Sequence, residues 1–138
     1  MGKLSGSCLC GNVRYDSDAE PLFTVICHCT NCQKQSGTAF STVVGAPKET
    51  LVINGEENLA DYIDTSDAGD DVRRRFCRNC GSPVFSIVKS LPDVTIIKAG
   101  TLEDRSWFEP TAHVWCDSAQ PWVHIEPTVK TFAKGTVR

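Results

Sequence analysis

Seven of the eight cysteines in this chain fall into three short groups: Cys8-Leu9-Cys10-Gly11, Cys27-His28-Cys29-Thr30-Asn31-Cys32 and Cys77-Arg78-Asn79-Cys80-Gly81. Cys116 stands alone. In extended backbone, residues two apart project to one face, so Cys8 with Cys10 and Cys27 with Cys29 can each grip a single ion. In Cys77-x-x-Cys80 a tight turn converges two thiolates, and Gly81 lets the backbone bend without a Cβ clash. Joining Cys8 and Cys10 to Cys77 and Cys80 supplies the four thiolates of a tetrahedral, structural zinc site. Such a clip closes a long loop and stabilises by restricting the unfolded chain as well as through its bonds.

Cys27, Cys29 and Cys32 then remain, and catalytic zinc usually has three protein ligands and an open fourth position. Two other readings stay open: a second closed site completed by Cys116, His113, His124 or His28, or reduced thiols without a metal. His28 is the poorest of those ligands, because strand alternation turns it away from Cys27 and Cys29. An open zinc with three thiolates is electron-rich. It acidifies water less than a histidine-rich site does, yet still holds an incoming thiol as thiolate, which can attack a small electrophilic carbon. The tripeptide His124-Ile125-Glu126 matches part of a nucleobase-deaminase signature, but there the paired cysteines follow the H-x-E element, whereas here every cysteine precedes it. A thioredoxin-like reading of Cys77-x-x-Cys80 lacks the surrounding βαβ pattern.

Composition sets the class. With 138 residues, 41% hydrophobic and 22% charged, the chain is expected to form one globular domain over residues 1–138. No apolar run reaches the length of a membrane span. The N-terminus carries no apolar signal segment, so a reducing cytoplasm is the expected compartment, where clustered cysteines bind metal or catalyse more often than they form bridges. A net charge of −3 argues against nucleic acid as a partner. The one basic cluster, Arg73, Arg74, Arg75 and Arg78, reads as a solvated strand edge or as an anion-binding group.

Short β-branched or aromatic runs recur between turn signals at Asn12–Tyr15, Leu22–Cys27, Phe40–Val44, Thr50–Ile53, Leu59–Ile63, Val72–Phe76, Pro83–Val88, Val94–Ala99 and Thr111–Trp115. They predict a mostly β chain of short antiparallel sheets. Helix signals are confined to a turn around Cys29–Gln35, stopped by Gly37, and one near Leu102–Trp107. Asp64–Asp71 reads as a mobile surface loop. Trp107, Phe108 and Trp122 are expected in the core.

Three motifs, G-S-C-L-C-G-N-V-R-Y at 6–15, C-H-C-T-N-C-Q-K-Q-S-G at 27–37 and F-C-R-N-C-G-S-P-V-F at 76–85, together resemble the glutathione-dependent formaldehyde-activating enzymes, whose domain also occurs in centromere protein V. The resemblance implies a β-tent fold and two zinc ions per chain. One would be structural, at Cys8, Cys10, Cys77 and Cys80, and one of catalytic type, at Cys27, Cys29 and Cys32. It further implies a carbon–sulfur lyase that joins glutathione and formaldehyde into S-(hydroxymethyl)glutathione, with the glutathione sulfur at the three-cysteine zinc. Lys34 or the arginines near Cys77 are candidates to meet the carboxylates of such a thiol. The alternative from the same family is a non-catalytic, zinc-stabilised module that binds protein or nucleic acid.

Overall fold

A computed structural model describes residues 3–65 and 69–135. The interior of the expected loop at Asp64–Asp71 lies outside the described residues. Among those described, eleven strands and one α-helix form two sheets. The smaller sheet joins β1 (Gly6–Ser7), β2 (Arg14–Asp16) and β5 (Val52–Asn54). The larger one contains β3 (Phe23–Cys27), β4 (Ser41–Pro47), β6 (Leu59–Thr65), β7 (Asp71–Cys77), β8 (Pro83–Val88), β9 (Val94–Lys98), β10 (Ala112–Val114) and β11 (Lys130–Thr131). Its spatial order is β11-β10-β3-β4-β9-β8-β7-β6.

The mostly β class expected from the sequence holds, and each expected strand run contains a strand. The larger sheet is broader than a set of short antiparallel sheets and is mixed, because β10 runs parallel to both β3 and β11. β1 and β11, two residues each, are too short for an alternation pattern to show.

Alternation along the strands explains which faces are covered. β4 is buried over most of its length, as befits a central strand covered on both sides, while β6 at the sheet edge exposes Asp61, Tyr62 and Ile63. The core lies where the small sheet meets the large one. Leu4, Val13 and Tyr15 pack there with Val44, Val84, Phe85 and Ile97. Tyr15 meets Phe85 edge-to-face with ring centroids 5.2 Å apart, and its hydroxyl shares a 2.7 Å hydrogen bond with that of Thr101. Trp107 and Phe108 pack against this core as expected. Trp122 does not: it is 74% exposed, in a segment of turns between β10 and β11.

The helical turn expected near Leu102–Trp107 falls earlier, as a 3-10 turn at Ala99–Thr101. The only α-helix among the described residues, α1 (Thr30–Ser36), follows β3 directly. Cys29 caps its start by accepting the Cys32 N–H, and Gly37 ends it at φ 68°, a left-handed conformation that glycine adopts without Cβ strain.

The arginine-rich β7 is not an edge strand, since it is hydrogen-bonded to β6 and β8. Its charges are spent on internal ion pairs. Arg73 and Arg75 both donate to Asp61, Arg75 also reaches Glu56, and Arg74, on the other face, pairs with Asp64. Burial raises the Asp61 carboxyl, but hydrogen bonds and charge from Arg75 and Arg73 outweigh it and hold the group below its usual value. A depressed folded pKa adds stability above the unfolded value of about 3.9 and loses it as pH falls through the folded value. Urea denaturation of Asp61→Asn against the parent is therefore expected to show a stability gap at pH 6 that narrows steadily below pH 4. A gap independent of pH would refute the ion-pair account.

Candidate metal centres

The turn after β1 and the turn after β7 bring the first and last cysteine groups together. Cys8 and Cys10 lie between β1 and β2, Cys77 ends β7 and Cys80 lies in the turn to β8. Each turn is tightened by backbone bonds, Gly11 N–H to Cys8 O at 3.2 Å and Gly81 N–H to Cys77 O at 2.8 Å. Gly81 has φ 81°, so a side chain there would be strained. Ser82 ties the two turns: its hydroxyl accepts the Leu9 N–H at 3.1 Å and lies 3.2 Å from Cys80 Sγ. That hydroxyl is the largest influence lowering the Cys80 thiol, to about 5. The Val13 N–H points at Cys8 Sγ from 3.4 Å.

All four sulfurs lie within 4.8 Å of one another, with Cys8 to Cys10 at 3.6 Å and Cys10 to Cys77 at 3.7 Å. A tetrahedron built on Zn–S bonds of 2.3 Å has an S···S edge of about 3.8 Å. The donor set fits a tetrahedral metal ion, and the four thiols are not bridged.

The second cluster forms where β3 runs into α1. Cys27 is the last residue of β3, Cys29 is the N-cap and Cys32 lies in the first helical turn. Their sulfurs also lie within 4.8 Å of one another. No fourth histidine, cysteine, aspartate or glutamate ligand atom among the described residues joins them. His28 is fully buried on the opposite face, its Nε2 2.9 Å from His113 Nδ1. The Cys116 thiol points to the His113 carbonyl at 3.6 Å, and His124 is exposed beside Glu126. The four residues weighed as a closing ligand are thus all engaged elsewhere.

Within this trio Cys32 is the thiol most readily ionised, while Cys27 and Cys29 are both raised. Hydrogen bonds from the Cys27 and Cys29 thiols lower Cys32 most, followed by the positive charges of Lys98 and Arg74, against the opposing effect of burial. Hydrogen bonding with Cys29 and then Cys32, together with burial, raises Cys27. Arg74, only 4% exposed, holds its Nη1 3.9 Å from Cys32 Sγ. The arginine cluster therefore serves the cysteines through Arg74, the residue facing away from Arg73 and Arg75. A cleft of about 350 Å³ adjoins it, lined by Asn31, Lys34, Gln35, Tyr62, Asp64 and Arg74. The buried Gln35 Oε1 has no hydrogen-bond partner there. Lys98 was not a candidate from sequence; the available sign was a lysine closing the apolar run Val94-Thr95-Ile96-Ile97.

The profile of the glutathione-dependent formaldehyde-activating enzymes matches residues 3–118, a span that includes both clusters. The chain belongs to this family. A provisionally named glutathione-dependent formaldehyde-activating enzyme of Aspergillus flavus is 28% identical over 87 residues, covering 61% of this chain and 44% of that one. A relative of the same provisional name from Penicillium rubens is 24% identical over 112 residues, covering 79% of this chain and 57% of its own. The chain thus spans about half the length of these curated relatives. The fold is shared with a Rhodobacter sphaeroides protein of known crystal structure, with a TM-score of 0.60 at 24% identity over 78% of this chain and 97% of that one. Among the described residues no helix is long and apolar enough to cross a membrane.

Proposed function

We propose that residues 1–138 form a single domain that binds two zinc ions and acts in the cytoplasm as a carbon–sulfur lyase. In this reading it joins a small thiol, glutathione, to a small aldehyde, formaldehyde, to give S-(hydroxymethyl)glutathione. The observation that carries the reading is the asymmetry of the two clusters: four thiols at tetrahedral spacing in one, and three with no fourth protein ligand among the described residues in the other. Cys8, Cys10, Cys77 and Cys80 hold the structural ion, and Cys27, Cys29 and Cys32 the catalytic one. Zinc in the three-cysteine site supplies a Lewis acid that keeps an entering thiol ionised and nucleophilic at neutral pH.

The remaining roles belong to side chains. The cleft beside Arg74 receives the body of the thiol, with Lys34 at its rim available to a carboxylate. In the reaction the sulfur lone pair forms the C–S bond, the carbonyl π pair moves to oxygen, and that oxygen takes up the proton the thiol released. The adduct also forms without a catalyst, so the protein changes the rate of exchange and not its equilibrium. Calorimetric titration of the zinc-loaded protein with glutathione and with S-methylglutathione tests sulfur capture. Binding of the thiol, with at least about tenfold weaker binding of the thioether, is expected; equal affinities would overturn the reading.

A further inference from the structure

Lys98 is the one buried lysine among the described residues, 7% exposed at the end of β9. Its Nζ donates a 2.7 Å hydrogen bond to Ser41 Oγ. Among the described residues no carboxylate lies within ion-pair distance of it, whereas the neighbouring Arg74 is paired with Asp64. A buried ammonium is costly unless an anion faces it. Sheet register places Lys98 on the sheet face that carries Cys27. Cys27 lies opposite Ser41 on β4, and Lys98 lies opposite Val43, two residues further along the same face. Burial holds the Lys98 ammonium below its ordinary pKa and Arg74 adds to that lowering, while the charges of Cys32, Cys27 and Cys29 oppose it.

We propose that Lys98 is the counter-ion of the three-cysteine site, a positioning residue whose charge lets the open place accept an anionic sulfur ligand. The inference rests on the reading that these cysteines hold a divalent metal ion. Three thiolates around such an ion leave one net negative charge, which Lys98 cancels. An entering thiolate then raises the local charge to minus one instead of minus two. The charge of Arg74 is already shared with Asp64. Lys98 thereby sets the class of molecule the site prefers, anionic sulfur over neutral ligands.

The test uses full-length protein loaded with Co2+, whose sulfur-to-metal absorption reports binding of 2-mercaptoethanol. An opposite charge at close range shifts such an equilibrium by about one to three powers of ten. Lys98→Met is therefore expected to keep two metal ions per chain but to bind the thiol at least about tenfold more weakly, while Lys98→Arg stays within about threefold of the parent. A metal-loaded Lys98→Met protein with parental thiol affinity would overturn the inference alone. One metal ion per parental chain would overturn the underlying site reading, and the inference with it. If Lys98→Met does not fold, melting of two further proteins decides. A counter-ion becomes a liability once a thiolate is removed, so Cys32→Ser/Lys98→Met should melt above Cys32→Ser alone. A lower melting temperature would mark Lys98 as a packing residue and refute the proposal.

Discussion

Cys77→Ser is expected to abolish zinc-dependent folding, with the largest effect of any single substitution in the chain. Cys77 is fully buried, ends β7, and its sulfur lies 3.7 Å from that of Cys10, sixty-seven residues away. Cys8 and Cys10 lie in the turn joining two strands of the small sheet, and Cys77 and Cys80 at the turn joining two strands of the large one, so this cluster is the clip between them. Structural zinc contributes about 10–16 kcal/mol in small metallo-domains, as much as or more than the 5–15 kcal/mol that is the whole stability of a typical domain. Losing one ligand of four is therefore expected to leave the chain largely unfolded at 25 °C. Circular dichroism melting with zinc analysis checks it. A chelator should reproduce the effect in the parent protein, and a Cys77→Ser protein melting within a few degrees of the parent would contradict the clip.

Cys29→Ser is expected to behave in the opposite way, retaining the fold and losing one of two zinc ions together with thiol binding. Cys29 caps a helix of only seven residues and accepts one N–H there, a bond that serine replaces with its hydroxyl. The local cost is accordingly small, about 1 kcal/mol or less. The site itself does not survive, because two thiolates cannot hold zinc as three do, and affinity for a thiol should fall at least a hundredfold, about 2.7 kcal/mol. Zinc content by plasma mass spectrometry, read beside the melting curve, separates the two substitutions. If Cys29→Ser kept both ions, the assignment of the trio would be wrong.

The division of the cysteines was legible because ligand spacing is a local property. Cys27 and Cys29 share a face through strand alternation, and Cys77-x-x-Cys80 closes through one turn. Strand positions were legible for the same reason, β8 at Pro83–Val88 coinciding with its apolar run. Pairing between distant strands was not. Nothing local says that β10 runs parallel to β3, or that β7 is interior, and with β7 interior Arg74 turns from a solvated charge into a neighbour of Cys32. Lys98 was hidden by the same limit, since its role depends on β9 lying beside β4 and on β4 lying beside β3. Trp122 shows the converse: a large aromatic side chain is buried only where the topology provides a facing surface, and Trp122 stays exposed in its segment of turns.

The most direct measurement is two-dimensional exchange NMR of glutathione with 13C-formaldehyde at equilibrium, with and without zinc-loaded protein. Exchange cross-peaks between free formaldehyde hydrate and S-(hydroxymethyl)glutathione are expected to grow with protein concentration and to vanish with Cys29→Ser. Exchange at the uncatalysed rate with a fully zinc-loaded parent protein would contradict the lyase reading.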